Sequence, residues 1–184
     1  MKRMIRFLAA VSALIMAASC IREGDSKSGE LGVGDLIPDF SVEMNDGSVV
    51  TGEQLREGIS IIVFFNTGCP DCAVTLPHVQ KIYDEYVPKG VRFALISREE
   101  EYSIVSIYWK NRNMTMPFSA QPTRVIYNLF AESRIPRVYI CKDGVIKAVF
   151  TDNPNPTYDD MDSVLKGFDV SSEAPIGENL KYIQ

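Results

Sequence analysis

Two cysteines with two residues between them, in Cys69-Pro70-Asp71-Cys72, are the side chains of this sequence best suited to chemistry. A thiolate is a strong nucleophile, and a second thiol within one helical turn can close a disulfide with it, so the pair can exchange two electrons reversibly. The backbone around the pair must make this possible. The preceding run, Ile59-Ser60-Ile61-Ile62-Val63-Phe64-Phe65, is apolar except for Ser60 and reads as a buried strand. Beyond Pro70, the apolar residues Leu76, Val79, Ile82, Tyr83 and Tyr86 recur three or four positions apart, the spacing of a helix. The cysteines therefore stand where a strand hands over to a helix, where unpaired backbone N–H groups and the positive end of the helix dipole favour a thiolate. Cys69 is expected to be the exposed thiol. Cys72, one turn further in on the same face, is placed to close a Cys69–Cys72 disulfide.

The chain has 184 residues, 46% of them apolar, enough for one globular domain of ordinary size. Its first residues form a separate object. Lys2, Arg3 and Arg6 make a basic start, Phe7 to Met16 an apolar core, and Ala17-Ala18-Ser19-Cys20 a small-residue run ending in cysteine. The apolar core is too short to span a membrane and fits a cleaved signal peptide over residues 1–19. The run before Cys20 is similar to a bacterial lipobox, which implies lipidation of the Cys20 thiol; the plainer alternative is a secretory signal with an incidental cysteine. Without residues 1–19, 16 basic residues face 24 acidic ones. So acidic a domain lacks the electrostatic footprint for nucleic acid, and its attachment to an anionic membrane would depend on the lipid. Export implies an oxidising compartment, where paired cysteines are structural disulfides or redox catalysts.

Residues 20–33 are rich in glycine, serine and charge and read as a flexible tether. Phe40 to Met44 and Ser48 to Thr51 flank Asn45-Asp46-Gly47, which signals a β-hairpin. Pro77 should kink the helix that runs from Pro70 to Tyr86. Val91 to Ile96 reads as a second buried strand, Ser97 to Glu100 as a capping box opening a helix to about Arg112, Met116 to Ser119 as a short extended piece, and Thr123 to Ala131 as another helix. Arg137 to Cys141 and Val145 to Phe150 form strands around Lys142-Asp143-Gly144, and Thr157 to Phe168 an amphipathic helix. Residues 169–184 read as a polar tail. Strands alternating with helices and ending in an antiparallel hairpin argue an α/β sandwich with a mixed central sheet.

Gly34-Asp35-Leu36-Ile37-Pro38-Asp39-Phe40, the strand leading into the two cysteines, and Ile135-Pro136 before the last hairpin together resemble the thioredoxin fold over residues 34–168, in particular the exported, membrane-anchored thiol-disulfide oxidoreductases of the TlpA and ResA type. The resemblance implies a three-layer sandwich with an N-terminal hairpin extension. It implies Cys69 as nucleophile, Cys72 as resolving thiol, and Pro136 as the cis-proline beside them, where the backbone of Ile135 meets the substrate chain. It also implies thiol or disulfide substrates, protein or small molecule, an upstream membrane electron donor, a monomer, and no cofactor. A plain strand-initiating proline is the alternative for Pro136.

Departures from that pattern bear on redox tuning. Gly68 stands where the family usually has tryptophan; the sole tryptophan, Trp109, falls on a helix expected at the surface. Thr75 stands where the subfamily often has glutamate, and proton handling at Cys72 then falls to water, Asp71 or the Thr75 hydroxyl. Pro70 suits the first helical turn. Asp71 suits the helix dipole, but its charge opposes a second one on Cys69, which favours a reductase or isomerase over a dedicated oxidase. His78 reads as a solvated or capping residue, Cys141 as a buried apolar-like thiol, Glu99-Glu100-Glu101 as a solvated helix start, and Tyr127, Leu129 and Phe130 as core.

Two other function classes compete with the dithiol. The opening Gly-x-x-x-Pro-x-Phe is shared with peroxiredoxins, but their Pro-x-x-x-Thr-x-x-Cys is absent around both cysteines. A non-catalytic binding lipoprotein, or a zinc site built on the cysteine pair, is the other; zinc needs further ligands, and the chain has one histidine and no second Cys-x-x-Cys.

Overall fold

The run Ile59–Phe65 is apolar but for Ser60, and both of its faces are covered. The computed structural model describes residues 29–168; Cys20, the signal segment, most of the tether and the C-terminal tail lie outside them. In chain order the elements are strands β1 (Ser41–Glu43) and β2 (Val49–Thr51), helix α1 (Gly52–Leu55), strand β3 (Ile59–Phe65), helix α2 (Pro70–Tyr86), strand β4 (Arg92–Ser97), helix α3 (Tyr102–Asn111), strands β5 (Arg137–Lys142) and β6 (Val145–Phe150), and helix α4 (Tyr158–Lys166). The main sheet has the order β4-β3-β5-β6, with β3 parallel to β4 and antiparallel to β5, and β5 antiparallel to β6. β1 and β2 form a separate antiparallel hairpin in the register Ser41↔Thr51.

Alternation along β3 separates the two outer layers. Ile61, Val63 and Phe65 share a face with their β4 partners Phe93, Leu95 and Ser97. On that face Tyr83 of α2 meets Phe93, and Trp109 of α3 stacks on Phe65 with ring centroids 4.8 Å apart. The opposite face carries Ser60, whose hydroxyl donates to the Leu55 carbonyl of α1, and Phe64, whose ring meets Tyr127, Phe130 and Tyr139. Phe40, beside the N-terminal hairpin, packs edge-on against Phe130. α4 is tied to α2 by the Tyr86 hydroxyl donating to Asp162 and the Tyr158 hydroxyl donating to Glu85. The result is the mixed three-layer α/β sandwich with an N-terminal hairpin that the sequence led one to expect.

The last hairpin turns at Asp143 and Gly144, both at positive φ, the geometry two-residue turns need to match strand twist. Ser119 bridges in parallel to Ile96 and extends the sheet beyond β4.

Four local expectations are corrected. Thr123 to Ala131 is not a helix but turns around a short 3-10 segment, Tyr127–Leu129, and its side chains tie it to the loop that follows: the Arg124 guanidinium donates to the Glu132 carbonyl, and the Tyr127 hydroxyl is shared between the Ser133 and Arg134 carbonyls. Leu129 is exposed, while Tyr127 and Phe130 are core. The Ser97–Glu100 capping box does not form. Ser97 ends β4 with its Oγ accepting from the Gln121 N–H, and α3 starts only after Glu101. The end of the expected tether is part of the domain: Leu31 donates to the Phe130 carbonyl, and Glu30 pairs with the buried Arg137 at 2.9 Å. Trp109 is buried rather than on the surface, 4% exposed, with its indole N–H on the Met116 carbonyl and its ring against Phe65 and Phe118. α2 runs on through Pro77, whose missing N–H leaves one carbonyl a turn earlier without its usual helical donor.

Candidate active site

The strand-to-helix turn is held by short polar side chains. Phe65, the last residue of β3, accepts from the Arg98 N–H, and the Asn66 side-chain amide donates to the Arg98 carbonyl at 3.0 Å. Asn66 Oδ1 accepts from the Gly68 N–H at 2.9 Å, and the Asn66 carbonyl accepts from the Cys69 N–H. A β-carbon at Gly68 would stand 3.2 Å from Asn66 Oδ1, so a larger side chain there presses on the residue that folds the turn.

Glu100 clamps the same loop from the far side. It is 6% exposed, and its carboxylate accepts from both the Thr67 N–H, at 2.8 Å, and the Thr67 hydroxyl. Sequence reasoning put it on a solvated helix start. Spacing alone could not reveal that the segment after β4 crosses beside the turn after β3; the parallel pairing of those strands brings the two together.

Cys69 is the N-cap of α2, extended at φ −85° and ψ 119°, and its Sγ accepts from the Cys72 N–H at 3.5 Å. The same sulfur lies 3.6 Å from the Ile135 carbonyl, toward which its thiol donates. The Ile135–Pro136 peptide is cis, and this loop is brought to Cys69 because β5, which begins at Arg137, pairs with β3. Cys69 is half-buried and Cys72 fully buried behind it; both are free thiols, the reduced form of the pair. Burial pushes the Cys72 thiol far above its usual range. The Asn66 backbone N–H opposes that push, the Cys69 sulfur adds to it, and the Arg98 charge opposes it.

Pro70 opens α2, and Asp71 in its first turn accepts from the Asn155 side-chain amide at 2.9 Å. Asn155 was not legible as a site residue; it follows the second cis peptide, Asn153–Pro154, in the loop between β6 and α4. Thr75 is fully buried one turn beyond Cys72. The structure thus brings together Gly68, Cys69, Pro70, Asp71, Cys72, Thr75, Ile135 and Pro136, while Cys20 lies outside the described residues.

Cys141 is separate from this group. It pairs with Ser60 on the face of the sheet opposite α2, and burial pushes its thiol up to about 12. Among the described residues no cluster of three or more histidine, cysteine or acidic side chains could hold a metal.

Comparison with known proteins bears on the family and the fold. The family model described as Redoxin matches residues 32–165. A thiol-disulfide oxidoreductase ResA from Oceanobacillus iheyensis is 26% identical over 145 residues, 76% of this chain and 74% of the relative. Another ResA, from Halalkalibacterium halodurans, is 25% identical over 64% of this chain and 68% of its own length. Among solved structures, a thioredoxin-family thiol:disulfide interchange protein from Chlorobium tepidum superposes with a TM-score of 0.64 at 22% identity, covering 73% of this chain and 96% of that one. StoA from Bacillus subtilis does so at 0.60 and 17%, covering 70% and 96%. These two likenesses show the thioredoxin-like fold.

Proposed function

We propose that this chain, which belongs to the Redoxin family and shares the thiol-disulfide oxidoreductase class of its relatives, uses Cys69 and Cys72 to reduce or isomerise protein disulfides outside the cytoplasm, tethered to a membrane through Cys20. One observation carries the reading: a half-exposed thiol caps a helix N-terminus, with a buried second thiol one turn behind it and the carbonyl before a cis-proline 3.6 Å from its sulfur.

The chemistry balances as two exchanges. The Cys69 thiolate attacks one sulfur of a substrate disulfide, that S–S bond breaks, and the other substrate sulfur leaves with the electron pair and takes up a proton. Cys72 then loses its proton and attacks Cys69 Sγ. The mixed disulfide breaks, the second substrate sulfur leaves as thiolate and is protonated, and the Cys69–Cys72 disulfide remains. An upstream dithiol donor at the membrane returns two electrons and two protons.

Each part of the site serves a step. The α2 N-terminus and the Cys72 N–H favour negative charge on Cys69 in the attack. The Ile135 carbonyl lies beside Cys69 where an extended substrate backbone can pair with it, with Pro136 ending that edge. Burial keeps Cys72 protonated and so a poor nucleophile, which leaves Cys69 as the thiol that makes the first attack. Asp71, held by Asn155, sets a negative charge in the first turn and biases the pair toward donating electrons.

The purified chain decides this. Cys72→Ala should trap partners on Cys69 as mixed disulfides, Cys69→Ala should trap none, and the intact chain should reduce a model disulfide such as insulin in the presence of dithiothreitol. A chain that neither reduces insulin nor cycles between dithiol and disulfide overturns the reading.

A further inference from the structure

Two buried hydroxyls near the dithiol have no hydrogen-bond partner among the described residues, Thr75 Oγ1 on α2 and Tyr108 Oη on α3. Buried polar atoms are seldom left in that state, and where they occur they mark an ordered water or a functional demand. Thr75 lies three residues after Cys72, one turn on along the same helix face. Tyr108 comes from a different element. Its ring lies beside Trp109 with centroids 6.0 Å apart, and Arg112 covers it at 5.2 Å. Trp109 in turn stacks on Phe65, the last residue before the cysteine turn, which sets this part of α3 against the dithiol end of β3.

The surroundings keep Tyr108 a neutral donor. Burial disfavours its phenolate, Arg112 favours it, and charge on Cys72, Glu100 or Cys69 disfavours it further. Cys72 itself faces Cys69 on its own helix, and the Asn66 N–H and the Arg98 charge from the two loops beside it. Asp71, on the same helix, is engaged by Asn155. None of these is a neutral hydroxyl that could hold a water by accepting one hydrogen bond and donating another. Thr75 and Tyr108 are.

We propose that Thr75 and Tyr108 are the positioning pair for the resolving thiol, seating a water against Cys72 Sγ that conducts its proton outward and hydrogen-bonds the thiolate as it attacks Cys69. This rests on the dithiol reading above. In the resolving step the Cys72 proton passes through that water to solvent. The freed electron pair forms the Cys69–Cys72 bond, and the substrate sulfur leaves with the electrons of the broken mixed disulfide.

Two measurements test the proposal. In a Cys69→Ala background, the pH dependence of Cys72 alkylation by iodoacetamide reports thiolate stability without turnover. In the chain with both cysteines, stopped-flow decay of a preformed mixed disulfide reports the resolving step. Thr75→Val and Tyr108→Phe keep shape and lose the hydroxyl; Thr75→Ser keeps one. The two hydroxyl-deleting variants should move the alkylation profile to higher pH and slow resolution at pH 7 about tenfold each, the factor that one ordinary net hydrogen bond represents. Thr75→Ser should restore both, and the first attack by Cys69 should be unchanged. Folded variants with parental Cys72 profiles, or a Thr75→Ser that behaves as Thr75→Val, overturn the proposal. A parent whose dithiol does not cycle overturns the dithiol reading instead, and the Cys72 profile still decides the role of the hydroxyls.

Discussion

Removing the Glu100 carboxylate tests whether the cysteine turn is held from the strand beside it. The carboxylate is buried and accepts two hydrogen bonds from one residue, the Thr67 N–H and the Thr67 hydroxyl. Bonds to a charged group contribute about 1.5–3 kcal/mol each, and the lower end applies because Thr67 is only half-buried and water can reach the loop. Glu100→Ala should therefore cost about 3 kcal/mol of unfolding free energy, and Thr67→Val, which keeps the N–H bond, about 1.5 kcal/mol. The two changes share one bond, so the double variant should be less destabilised than the sum, with a coupling of about 1.5 kcal/mol. Urea unfolding of the four proteins at pH 7, followed by far-ultraviolet circular dichroism, gives the cycle. With a slope of about 2 kcal/mol per molar, Glu100→Ala should lower the midpoint by about 1.5 M. Because Thr67 lies two residues before Cys69, the same variant should also change the alkylation rate of Cys69. A coupling below about 0.5 kcal/mol, the range of independent sites, would refute the clamp.

Two further outcomes follow from the packing. Trp109→Ala, which empties the space against Phe65 and Phe118, should cost about 3–5 kcal/mol in the same urea assay; a cost under about 1 kcal/mol would fit an exposed indole and contradict its burial. Cys141 is held protonated in the folded state up to about 12, whereas an unfolded thiol ionises near about 8.5, so its contribution is fully present at neutral pH and is lost as pH rises above that value. Between pH 9 and 11 the stability of the parent should fall more steeply than that of Cys141→Ala, by about 1.4 kcal/mol per pH unit, measured by urea unfolding under reducing conditions; parallel curves would show that Cys141 ionises freely in the fold.

Local sequence was sufficient for the placement of the two cysteines at a helix start and for most of the frame. The apolar run Ile59–Phe65, the helical period after Pro70 and the Asp143-Gly144 turn each act over a few residues, so strand, helix and hairpin were legible from spacing. The dithiol was legible for the same reason, because its partners are one helical turn apart. Only tertiary structure decided what stands around it. Glu100, Arg98, Tyr108 and Ile135 reach the cysteines through the pairing of β3 with β4 and β5 and through α3 packing over Phe65, contacts separated by some thirty to seventy residues that no period encodes. The same long-range packing reversed two local readings: Trp109 went inside against Phe65 and Phe118, and Glu100 left the helix start for the Thr67 N–H. Cys141 is the buried, apolar-like thiol that spacing suggested, and the strand pairing puts it on the face of the sheet opposite α2. Spacing fixes which residues share a turn; which turns meet depends on how apolar faces are buried, a property of the whole chain.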